Sequence, residues 1–215
     1  MRKLLLICAL GLTPLLMAGC QSAYYSAMEK VGVHKRDILV DRVEDTRDAQ
    51  DEAQAQFLNA LDQFRSVVNF EGGELEAAYN KLQKEYDRSE AAANEVSEHI
   101  RKVEDVADAL FDEWEEELGQ YTSTSLRAES ARALAETRSR YKELRTSLKR
   151  AESRMQPVLS ALLDNTLYLK HNLNARAIGL LKGEFAGIKA DIDRLVTDMQ
   201  RSIQESDKFI RAMKQ

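Results

Sequence analysis

The chain has 215 residues, 44% hydrophobic and 31% charged, with 9 Gly, 2 Pro, 2 Cys and a formal charge of −5. Two Cys exclude a disulfide scaffold, and so few Gly and Pro exclude an all-β chain with many tight turns. Charges of both signs are interspersed, 31 basic against 36 acidic, which excludes a nucleic-acid arm or an acidic tail and leaves a long-helix protein.

Residues 1–19 read as a signal peptide. Arg2 and Lys3 precede an uncharged, mostly apolar stretch from Leu4 to Met17. Fourteen residues at ~1.5 Å rise cover about 21 Å, short of a ~30 Å hydrocarbon core, so the segment suits cleavage rather than retention as a span. Its end, Leu16-Met17-Ala18-Gly19-Cys20, resembles the lipobox of bacterial lipoproteins, with Met17 where Leu is commoner. That resemblance implies diacylglycerol on Cys20 and an N-acyl chain on its amine. Two or more acyl chains give stable anchoring where one is marginal, at ~0.8 kcal/mol per buried CH₂. Gln21, rather than Asp, implies by analogy with lipoprotein sorting the inner leaflet of the outer membrane, with the chain facing the periplasm. Cleavage would leave 29 basic and 36 acidic side chains, one Pro and one Cys, so no disulfide could form within the chain.

Residues 20–33 are expected to be a lipidated tether. Tyr24, Tyr25, Met28 and Val31 would share one face of a short helix, read either as a membrane-interface segment or as a linker with a few tyrosines.

From residue 34 to 215 the expectation is all-α: an elongated antiparallel four-helix bundle, or coiled coil, with a protruding two-helix prong. The first helix, about 34–69, has a seam at Leu39, Val43, Thr46, Gln50, Ala53, Phe57, Ala60, Phe64 and Val67, polar in its middle. Gly72-Gly73 breaks it. The second, about 74–121, alternates steps of four and three from Leu75 through Val96, Leu110 and Trp114 to Tyr121, a coiled-coil period sustained over some 46 residues. Ser and Thr of the turn at 119–125 are available to cap the third helix, about 125–171, in which Pro157 predicts a kink rather than an end. The fourth, about 175–213, carries Ile178, Leu181, Ile188, Ile192, Leu195 and Met199 in the same rhythm. Residues 75–118 hold 14 acidic and 5 basic side chains, whereas 126–170 hold 5 acidic and 10 basic, the asymmetry that flanking positions of an antiparallel hairpin need. The longer middle pair should project as a prong over roughly 109–137. The first helix would then begin, and the fourth end, at the prong's root.

Candidate sites follow from what interrupts this pattern. Asp112, Glu113, Glu115 and Glu116 surround Trp114 near the prong tip. One reading is a docking site for a basic protein partner, with Trp as anchor; the other puts Trp114 in the seam against the third helix. Gly179, Gly183 and Gly187 repeat every four residues, at ~1 kcal/mol each against Ala in a helix interior. They read as close packing against another helix of the bundle, or as a homo-oligomer contact. His34, His99 and His171 fall on different elements, and Glu95–His99 alone does not make a metal site. Neither Glu71-Gly72-Gly73-Glu74 nor Gly179–Gly183 has the GxxxxGK[ST] order of a phosphate loop. Neither catalytic residues, metal nor cofactor beyond the lipid are expected, nor nucleic-acid binding.

The segments 68–83 (VNFEGGELEAAYNKLQ) and 156–183 (QPVLSALLDNTLYLKHNLNARAIGLLKG) resemble a family of proteobacterial lipoproteins of unknown function, some members of which are labelled DNA repair ATPases. The resemblance implies an envelope location and supplies no catalytic residues. The expected role is a non-enzymatic, lipid-anchored structural or adaptor scaffold for protein partners. The alternatives are a periplasmic chaperone-like or membrane-stress protein, and a helical metal- or small-ligand-binding protein.

Overall fold

The computed structural model describes Tyr25, Met28 and residues 32–70, 72 and 74–214. The signal segment, Cys20, Tyr24, Val31, Glu71 and Gly73 lie outside the described residues. Four long helices follow one another: α1 (Lys35–Val68), α2 (Leu75–Leu118), α3 (Thr124–His171) and α4 (Ala175–Met213). Each packs on its neighbours in a closed ring, α1 on α2 and α4, and α3 on α2 and α4. The result is an antiparallel up-down-up-down four-helix bundle. No helix among the described residues is long and apolar enough to cross a membrane.

The helix ends have local causes. Ser123 Oγ accepts from the Leu126 N–H at 3.4 Å and starts α3, and Asn174 Oδ1 accepts from the Ala177 N–H at 3.1 Å and starts α4. Gly119 follows α2, where a Cβ would stand 3.3 Å from the Glu116 carbonyl oxygen. The helix stops at Leu118, three residues before Tyr121, which is exposed. Before α1, Gly32 adopts φ +85° while the Val33 N–H reaches back to the Met28 carbonyl at 3.0 Å, the six-to-one bond of a left-handed helix cap. Met28 and Tyr25 are helical, Tyr25 is buried in the core, and Met28 packs against it. The bundle thus takes up residues assigned by sequence to the tether, and burial removes Tyr25 from a membrane-interface role.

α3 is unbroken through Pro157. The carbonyl that loses its donor there is that of Ser153, which is exposed to solvent.

The core runs the length of the overlap between the four helices. Every seam position of α1 from Leu39 to Val67 is buried. Five inward polar groups among the described residues bond back to their own helix, including Thr46 Oγ1 to the Arg42 carbonyl (2.7 Å), Ser89 Oγ to Glu85 (2.7 Å) and Thr166 Oγ1 to Leu162 (2.7 Å). Gln50 on α1 and Ser202 and Ser206 on α4 do not: all three are fully buried, and their side-chain polar atoms have no partner among the described residues.

The two ends differ. Lys35 Nζ pairs with Glu113 Oε1 at 2.8 Å, and Arg36 donates to the Met213 carbonyl. Phe111, Tyr141 and Phe209 stack edge-to-face at 5.4 and 6.3 Å. The start of α1 and the end of α4 are therefore level with residues 111–113 of α2 and about Tyr141 of α3. What projects past them is shorter on the α2 side than the expected 109–137, because α1 reaches Glu113 and covers residues 109–113. Far-end packing includes Phe64 stacked on Phe185 at 6.0 Å.

Candidate functional site

The acidic tip is built where the seam of α2 outruns its neighbours. Trp114 is half-buried, and its indole Nε1 donates to Ser130 Oγ on α3 at 2.8 Å. The ring is held in the α2–α3 contact, as the seam reading has it, and is not a free anchor. Glu113 is engaged by Lys35, and Glu115 by Arg138, whose hydrogen bond holds the Glu115 carboxyl below its ordinary value. Arg138 also lies 5.3 Å over the Phe111 ring. Asp112 and Glu116 stay exposed, with no cationic partner in ion-pair reach among the described residues, and so does Glu117. The carboxylates available to a partner are thus Asp112, Glu116 and Glu117. One turn back, burial and then the Asp112 charge raise the Asp108 carboxyl above its usual value.

Below the tip the opposite charges of α2 and α3 meet. Arg145 Nε and Lys149 Nζ reach the Glu104 carboxylate at 2.7 and 3.3 Å. Glu104 is 19% exposed but the two cations are about half exposed, so these contacts fix register more than they stabilise.

Gly179, Gly183 and Gly187 all face solvent, and a Cβ on any of them would meet nothing within 4 Å among the described residues. The close packing within the bundle expected of them is absent. The physical reason is the helix's own register: Ile178, Leu181, Ile188 and Ile192 turn α4 toward the core, and the glycines fall on the opposite side. Leu180, next to them, is 52% exposed.

His34 and His171 are exposed, and His99 Nε2 stands 3.9 Å from Glu95. Among the described residues no group of three His, Cys, Asp or Glu side chains converges as a metal site.

A feature the sequence reading missed lies between α3 and α4. Arg150 and Arg154 from one helix and Arg194 and Arg201 from the other line one surface groove of about 410 Å³, with Asp191 and Asp198 between them. Sequence periodicity separates core from surface but does not pair two surface faces 40 residues apart, and the basic excess of α3 was attributed wholly to α2.

Fold and surfaces define an elongated all-α bundle of the coiled-coil type. Residues 24–213 match the family described as "Protein of unknown function (DUF2959)", and the chain belongs to it. A comparison with curated proteins finds no match.

Proposed function

We propose that the protein is a non-enzymatic scaffold or adaptor of the cell envelope, anchored by lipid on Cys20 and facing the periplasm from the outer membrane. The observation that carries this reading is the Lys35–Glu113 pair at 2.8 Å. It makes the chain arriving from Cys20 enter the bundle at the end where α2 and α3 project. A lipid on Cys20 then holds the acidic tip near the membrane, and the turns at 69–74 and 172–174 stand off from it. At ~1.5 Å per residue, the 34 residues of α1 set that reach at about 50 Å. Bacterial origin and anchoring rest on the Leu16–Cys20 pattern, and the leaflet on Gln21.

The test is fractionation of native protein and two variants. Wild type should sediment with outer membranes, Cys20→Ala should become soluble, and Gln21→Asp should move to the inner membrane. A Cys20→Ala protein that fractionates unchanged overturns the anchor. Crosslinking of the anchored protein then reads the role: a few stoichiometric partners, lost when Asp112 and Glu116 become Lys, support the adaptor.

A client-holding role is the second reading. It rests on Leu167, Leu173 and Leu180, each more than 40% exposed, near the end away from the tip. Capture of many unfolded envelope proteins, abolished by Leu→Ser changes at these positions and unaffected by the tip variants, would favour it over the adaptor.

A further inference from the structure

We propose that the groove between α3 and α4 is a binding site for a phosphate-bearing ligand, with Arg150, Arg154, Arg194 and Arg201 as its cationic walls. The reading is independent of the anchor and of any protein partner.

Four guanidinium groups from two helices line this one depression, against two carboxylates, Asp191 and Asp198. Both carboxylates are already committed. Asp198 is sunk between the helices with its side chain 11% exposed; its Oδ2 takes Arg154 Nε at 3.2 Å and its Oδ1 takes Arg201 at 3.5 Å. Asp191 pairs with Arg194 at 2.9 Å. Arg150 has no carboxylate within ion-pair distance among the described residues. The groove therefore keeps an excess of two positive charges.

Asp198 explains why the arginines are arranged rather than merely near one another. A nearly buried carboxylate that bridges α3 and α4 fixes Arg154 and Arg201 on opposite walls. Each guanidinium has five N–H donors in a planar fork, and a single contact to a carboxylate leaves most of them unused. Arg154, Arg194 and Arg201 remain half or more exposed, so those donors are reachable. A tetrahedral oxyanion with several oxygens matches such forks better than one more carboxylate does. Phosphate monoesters and diphosphates, whether free or on a lipid headgroup, have that chemistry. A second depression runs on from the first along the same two helices, sharing Arg150 and Arg201 and adding Lys142 with two carboxylates, Glu143 and Glu205, the latter paired with Lys208. It gives the remainder of a phosphorylated ligand a place to lie.

The experiment uses the full chain carrying Cys20→Ala, so that no acyl anchor inserts, titrated with inorganic pyrophosphate by calorimetry at low salt, and in parallel mixed with phosphatidylcholine vesicles containing or lacking a phosphate-monoester lipid. Arg150→Gln with Arg194→Gln removes the unpartnered cation and one wall. Arg127→Gln with Arg132→Gln, near the tip end of α3, removes the same charge elsewhere. Binding should weaken about tenfold or more in the groove variant, equivalent to ~1.4 kcal/mol, and less than threefold in the control. Pyrophosphate binding with that pattern assigns a free phosphate compound. Vesicle binding alone with that pattern assigns a lipid headgroup. Absence of binding in both arms, or equal weakening in groove and control variants, overturns the proposal. Thermal unfolding by circular dichroism checks that both variants fold, and Arg150→Lys with Arg194→Lys, which retains charge without the fork, should bind at an intermediate strength.

Discussion

Lys35 Nζ lies 2.8 Å from Glu113 Oε1, although 78 residues separate them in the chain. This contact clamps the first turn of α1 to α2 and sets where the four-helix section ends. Lys35 is largely buried, with its side chain 11% exposed, and Glu113 is about one-third exposed. Glu113→Gln should therefore cost about 1–2 kcal/mol, above an exposed pair and below a fully buried one. Urea unfolding reads the loss, and amide exchange should quicken first in α1 around Arg36–Val40. Unchanged exchange there would mean that other contacts hold this end.

Tyr141 sits in the aromatic stack at the same end, and its buried hydroxyl has no hydrogen-bond partner among the described residues. Burial, and then the Asp108 and Glu104 charges, push its pKa well above the ordinary tyrosine value. Tyr86, on the same side of neutrality, is pushed up to about 12, by burial and by its bond to Glu90. Both groups are neutral in folded and unfolded chains below pH 10. Above it the unfolded chain ionises first, so stability falls from about pH 10 upward until the folded groups also ionise. Tyr141→Phe keeps the ring and removes the orphan hydroxyl. It should be neutral or stabilising by about 1 kcal/mol at pH 7, with a shallower loss of stability above pH 10. Thermal melts across pH 7–11 measure both, and a clear loss at pH 7 would show that the hydroxyl has a partner.

Gln50 carries two amide atoms in the interior that have no partner among the described residues. Gln50→Leu, similar in volume, should raise stability by about 1–3 kcal/mol, the desolvation cost of a buried polar group without partners. A fall instead would mean that the amide is satisfied by bound water or is required for the helix register.

Each of Gly179, Gly183 and Gly187 has helical backbone and open space where a Cβ would go. Alanine at each should stabilise the chain by about 0.5–1 kcal/mol, because it narrows the unfolded ensemble without strain. If this face is also where two copies meet, the triple alanine variant should be more stable as a monomer yet associate less. Calorimetry and sedimentation velocity on one sample separate the two effects, and unchanged association removes the homo-oligomer reading of the glycine stripe.

The sequence by itself determined the four helices and their inward faces. An apolar residue every three or four positions has one low-energy solution, a helix with that stripe buried, so Leu39 to Val67 and Val96 to Leu110 were legible without coordinates. What tertiary structure decided was where the stripe stops being covered. Ile100 and Trp114 occupy equivalent seam positions, two heptads apart, yet one is fully buried and the other half-buried and hydrogen-bonded to Ser130. The difference is whether α1 and α4 extend to that level, a matter of helix ends meeting in space. The intrabundle packing expected of the glycine stripe is absent, although the register of α4 already placed it outward. The arginine groove was invisible because a local pattern records which residues face water and not which faces, from distant parts of the chain, face it side by side.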